Sequence, residues 1–158
     1  MWQRKQTLFL VLAAFSAVAT WWFPVSSYQR GQELFLFRTT GLYMTDGTEV
    51  VDAALKVPFN VVFTVIAVAL LGCIFVYANR ARQARFVRST YLVTLGAIAF
   101  LFITDNSIAA FLEEGSGHVS SSYGLSFFLP LATLVFSFLA ERSIKSDEAL
   151  VRSTDRLR

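Results

Sequence analysis

Apolar residues along this chain fall into four long blocks, and the polar stretches between them differ sharply in charge. The first block follows Arg4 and Lys5 and runs without a charge to Val25. At 1.5 Å per residue, eighteen or so residues reach about 27 Å, close to the roughly 30 Å hydrocarbon thickness of a bilayer. Trp21 and Trp22 then form an outer aromatic belt, and Pro24 ends the helix. Ala17-Val18-Ala19 after a basic start also fits a cleaved signal peptide, but the apolar run continues through Trp21-Trp22-Phe23, which favours an anchor. The second block, Phe59 to Ala78, sits behind Pro58 and carries no charge at all. The third starts near Ser89 and resumes after Asp105-Asn106 as Ile108-Ala109-Ala110-Phe111-Leu112, which predicts one long helix from about Phe86 to Glu113. The fourth runs from Tyr123 to Ala140, with a kink expected at Pro130.

The intervening segments complete the layout. Leu34-Phe35-Leu36-Phe37, Leu42-Tyr43-Met44 and the Asp46-Gly47 turn before Thr48-Glu49-Val50-Val51 predict a ribbon of two or three strands. A lone hairpin is marginal in water, so this ribbon has to lean on helix ends or on the second outer loop. Gly115-Ser116-Gly117-His118 and Ser120-Ser121-Ser122 read as a flexible polar loop. At the centre lies Asn79-Arg80-Ala81-Arg82-Gln83-Ala84-Arg85-Phe86-Val87-Arg88, four arginines without an acid, read as a short cytoplasmic loop. The tail begins with Ser146 as a cap and Asp147 and Glu148 in a first turn. The predicted fold is an all-α membrane protein: a four-transmembrane-helix bundle in a domain of residues 1–145, with spans at about 7–25, 58–78, 88–112 and 123–140. Both termini are cytoplasmic, a small β-ribbon at about 33–52 occupies the first outer loop, and a short cytoplasmic C-terminal helix covers 146–158.

Composition agrees with a membrane setting, since 55% of the chain is hydrophobic and only 16% charged, against roughly 25% in soluble domains. The placement of charge matters more than the net +3. The three inner segments hold 11 basic and 4 acidic residues and the outer ones 3 and 7, which sets the orientation without any need for nucleic acid. The single cysteine, Cys73, excludes an intrachain disulfide and a Cys-Cys relay, and with them the four-helix thiol oxidoreductases.

The ending Asp147-Glu148-Ala149-Leu150-Val151-Arg152-Ser153, then Asp155-Arg156-Leu157-Arg158, with the opening Gln3-Arg4 and Gln6-Thr7, resembles the Bacteroidota membrane proteins grouped as domain-of-unknown-function family 4293. The resemblance covers the whole chain in layout, while motif-level identity lies at the two ends. Members usually have isoleucine where Trp2 and Lys5 stand, so the start is a looser match than the tail. The resemblance implies a bacterial inner-membrane location and brings no activity, substrate or catalytic residue.

Candidate chemistry is sparse: no catalytic, cofactor or metal residue is expected. Asp105 is the acid nearest the membrane, but fourteen residues beyond Tyr91 it lies about 21 Å up the helix, near the outer interface, where a bond to Asn106, Lys56 or a loop amide is expected. The absence of other ionisable groups within the spans argues against a proton-coupled pump. His118 stands alone among Gly and Ser where zinc wants three or four ligands. Cys73 reads as packing, Ser120 to Ser122 lack a local base, and Asn60, Thr64, Thr94, Thr104 and Thr133 read as bonds between helices or back to their own backbone. Ala13 with Ala17, and Ala69 with Cys73, have the spacing that lets helices approach closely.

The docking candidates are Arg80, Arg82, Arg85 and Arg88 in the basic run, with Asp147, Glu148, Arg152, Asp155, Arg156 and Arg158 in the tail. They are expected to meet anionic lipid headgroups, a protein partner in a larger membrane complex, or one another. The function that follows is a non-enzymatic accessory or scaffold subunit of the inner membrane. The alternative is a small transporter or channel component using Asp105 and the Pro130 kink.

Overall fold

The computed structural model describes residues 5–50, 57–77, 79–114 and 119–155. Its elements in chain order are α1 (Lys5–Ala19), β1 (Ser26–Arg30), β2 (Glu33–Arg38), β3 (Gly41–Met44), α2 (Phe59–Phe75), α3 (Arg80–Glu114), β4 (Ser120–Tyr123) and α4 (Leu125–Asp155).

The expected all-α bundle of four membrane-crossing helices is overturned. The described residues form four helices and a four-stranded antiparallel sheet, and among them only α3 and α4 are long and apolar enough to cross a membrane. With 15 and 17 residues, α1 and α2 rise only about 22 and 26 Å. The apolar run misleads at α1 because its last residues are not helical. Thr20 Oγ1 turns back to the Ala17 carbonyl at 2.7 Å, and Trp21 and Trp22 donate to the carbonyls three residues earlier at 3.1 and 3.2 Å. Pro24 then releases the chain into β1. Val76 closes α2 in the same way, its N–H meeting the Cys73 carbonyl at 3.3 Å.

The sheet has the order β3-β2-β1-β4, so the serine segment read as a loop supplies an edge strand. It pairs as Ser26 with Tyr123 and Ser27 with Ser122, and the two serine hydroxyls of the latter pair lie 2.8 Å apart. Residues alternate across the sheet as a pleat demands: Ser26, Tyr28, Phe35, Phe37 and Leu42 are buried on the helix side. The Asp46-Gly47 turn forms as expected. Gly47 takes φ +83°, and Asp46 Oδ1 accepts from the Thr48 amide and hydroxyl at 2.9 and 2.6 Å. Those hydroxyl and amide bonds hold the Asp46 carboxyl below its usual range.

Helix packing is set by small residues. Helix α1 packs on α4 and α2, and α3 packs on the same two. Ala13 and Ala17, four apart, are fully buried, and α4 comes close enough for Thr133 Oγ1 to reach the Ala13 carbonyl at 3.3 Å. Where the sheet meets the helices, Phe37 stands edge-on to Phe59, and Phe59 stacks on Phe63. Two further differences concern the polar ends. The basic run from Arg80 to Arg88 is the first turns of α3, and α4 continues through Pro130 and past Ala140 to Asp155, so the tail extends the fourth helix. Arg4, Lys56, His118, Arg156 and Arg158 lie outside the described residues.

Candidate functional site

The basic run is helical because Asn79 caps it. Its Oδ1 accepts the Arg82 amide at 3.0 Å, a donor that a helix start leaves open, and its carbonyl takes the first helical bond, from the Gln83 amide at 2.9 Å. Gln83 is buried in the first turns and donates from Nε2 to the Cys73 carbonyl at 2.8 Å, which ties the end of α2 to the start of α3. With the backbone helical, Arg85 and Arg88 fall one turn apart and face the end of α4.

At that junction one carboxylate organises three donors. Arg88 gives Nε and Nη2 to Glu141 Oε1 at 2.9 and 2.7 Å, and Lys145 Nζ reaches the same oxygen at 2.7 Å. The Glu141 side chain is 4% exposed, whereas both cations are half exposed. Further along, Arg80 Nη1 donates to the Asp147 carbonyl at 2.9 Å. The run is thus joined to α4 at two points, of which one lies in the tail: the acid that Arg88 meets is Glu141, ahead of the tail, and Asp147 contributes its backbone to Arg80. The signal for Glu141 in the sequence was its place as the first charge after an apolar block, four residues before Lys145. Glu141→Ala is expected to lower stability by about 1–2 kcal/mol, less than a fully buried pair because the cations reach water, and high salt should shrink the difference. Thermal melts of both proteins at low and high salt check this.

Two cavities flank this end of α4. One, about 460 Å³, lies between α3 and α4 and is walled by Ala84, Arg85, Arg88, Glu141, Lys145 and Glu148. The other, about 550 Å³, lies against the start of α1 and includes Lys5, Phe9, Arg142, Ser146 and Asp147. Arg82 is exposed on the outer side of α3, while Arg152 and Asp155 continue the α4 helix.

Asp105 sits at the opposite end, where β1 crosses α3. It is 4% exposed, and Oδ1 accepts from Ser26 Oγ and from Tyr28 Oη, each at 2.5 Å. Of the expected partners, Asn106 turns instead to the Phe102 carbonyl at 3.0 Å, and Lys56 lies outside the described residues. Burial first, and then the Asp105 carboxylate, push the Tyr28 hydroxyl well above the usual tyrosine range. Sequence reasoning missed this pair, although Ser26 and Tyr28, two apart on a strand, necessarily share a face.

The remaining candidates stay structural. Cys73 is buried and free, and Thr64, Thr94 and Thr133 bond to carbonyls four residues earlier at 2.7, 2.9 and 3.1 Å. Among the described residues no three metal-ligating side chains converge. A family profile described as a domain of unknown function, DUF4293, matches residues 2–157. The chain belongs to that family. No curated protein matches it.

Proposed function

We propose that this member of the DUF4293 family is a non-enzymatic docking subunit of the bacterial inner membrane, presenting the basic ends of α3 and α4 to the cytoplasm. The observation that carries the reading is where the apolar surface lies. Only 28% and 33% of the most apolar windows of α3 and α4 are buried inside the molecule, whereas a core helix of a soluble protein is mostly buried. Leu92, Val93, Phe100 and Ile103 on α3, and Phe128, Val135 and Phe138 on α4, stand about half exposed. Val61, Val65 and Val68 extend the same surface over α2. Patches of that extent need a nonaqueous partner, and lipid covers all of them at once. In this setting α3 and α4 cross as an antiparallel hairpin with the shorter helices packed alongside. The bias of Lys and Arg directs Arg80 to Arg88 and Lys145, at the facing ends of α3 and α4, inward, and the opposite ends of the hairpin outward.

The docking role follows from what the inner end offers. Arg82 on the outer face of α3 and the charged end of α4 are held in one surface by the Arg88–Glu141 and Arg80–Asp147 bonds. A rigid display of this kind suits a cytoplasmic protein or a neighbouring subunit of a membrane complex. Transport through Asp105 is the weaker reading, because its Oδ1 is already committed to two hydroxyls in a buried contact. Affinity capture in mild detergent tests the docking role, comparing the full chain with Arg82→Glu and with a chain ending at Lys145. Loss of the same specific partner from both variants is expected. Identical partner sets in all three would remove the role.

A further inference from the structure

We propose that the cavity between the basic ends of α3 and α4 binds the phosphodiester of an anionic phospholipid. The inference rests on the membrane setting proposed above and is independent of protein docking. The cavity holds about 460 Å³, room for a glycerophosphate headgroup, and carries three cations, Arg85, Arg88 and Lys145, against two carboxylates. Glu141 draws Arg88 and Lys145 onto one oxygen at 2.7 Å each. Two cationic groups therefore stand around a single point, with one carboxylate already shared between them. Arg85, exposed and one turn from Arg88, adds a third cation on the α3 side. Ala81 and Ala149 line the same space and leave it open, where larger side chains would close it.

The neighbouring surface favours a lipid over free phosphate. One turn above Arg88, Tyr91 meets Phe138 edge-on across the two helices, with ring centroids 6.3 Å apart. Exposed Leu92, Leu95 and Phe138 continue away from the cations along α3 and α4. A phosphodiester seated among the cations would lay its acyl chains on this apolar surface. The cavity also lies where the apolar stretch of each helix gives way to charge, which is the depth of a headgroup.

The test uses the full chain purified in mild detergent, with native mass spectrometry and thermal melts. The probes are phosphatidylglycerol, phosphatidylcholine of matched chains, and inorganic phosphate. One retained phosphatidylglycerol per protein is expected, bound about tenfold more tightly than phosphatidylcholine, with a raised melting temperature. Arg85→Gln should weaken binding about fivefold, as expected for one cation near a lipid surface. Ala149→Trp should abolish it by filling the space. Equal retention of the two lipids overturns the proposal, as does a shift reproduced by inorganic phosphate. If either variant melts early without lipid, the wild-type ratio between the two lipids decides alone. Failure to co-sediment with liposomes of any composition would instead remove the membrane setting itself.

Discussion

Gly124→Ala is expected to lower stability by about 2–4 kcal/mol, a large effect for one methyl group. The reason is a backbone crossing. A Cβ at position 124 would lie 2.3 Å from the Pro24 carbonyl oxygen and 3.0 Å from its carbon, and neither is the end of a movable side chain. The same crossing carries two amide bonds, Gly124 to the Val25 carbonyl at 2.7 Å and Ser126 to the Pro24 carbonyl at 3.2 Å. The Ser126 hydroxyl adds a third hydrogen bond, to the Thr20 carbonyl at 2.9 Å. Pushing the strands apart therefore loosens the pairing of β1 with β4 and the seat of α4 on the end of α1. The backbone at Gly124 is not in the left-handed region, so the cost is steric alone. Gly96→Ala is the control, since a Cβ there meets nothing within 4 Å. Thermal melts and hydrogen exchange at Ser120 to Tyr123 check the prediction. A Gly124→Ala protein that melts with wild type and protects those amides equally would show that the crossing is slack.

This contact illustrates which parts of the molecule were legible in the sequence. Elements held by local chemistry were: the Asp46-Gly47 turn, the helix start at Pro58, and the long third helix carrying Asp105 beyond its apolar block. The small pair Ala13 and Ala17 was also readable as a place of close approach, and α4 takes it. What failed was the step from apolar composition to helical span. Composition cannot distinguish a helix that continues through Trp21 and Trp22 from one that tightens and turns into a sheet. The fourth strand was hidden for a related reason, because Ser120-Ser121-Ser122 carries no strand signal and pairs only because β1 offers it an edge. At the basic end the charges are visible in the sequence, but the pairing of Glu141 with Arg88 is not. Its role comes from the way α3 and α4 cross 53 residues apart in sequence.

Asp105→Ala is expected to lower stability by about 2–4 kcal/mol, because it leaves the buried hydroxyls of Ser26 and Tyr28 without their shared acceptor. Asp105→Asn keeps a carbonyl acceptor and should cost roughly half as much. Tyr28→Phe removes one donor from the same oxygen, so its effect should not add to that of Asp105→Ala, and a coupling of about 1 kcal/mol or more is expected in a double-mutant cycle. The pair also predicts an alkaline limit. The Tyr28 hydroxyl ionises less readily in the fold than in the unfolded chain, whose ordinary value is near 10.0. Its contribution is therefore complete below that pH and is lost as pH rises beyond it, and Tyr28→Phe should flatten that decline. Additive single effects would break the claim that Asp105 latches the sheet to α3. Proteoliposome flux separates the latch from a transport role: a solute flux abolished in Asp105→Asn, with an unchanged melting temperature, would assign the carboxylate to a passing solute. The geometry expects the reverse, a lower melting temperature and no flux to abolish, since the oxygen that a solute would need is held between a strand and a helix.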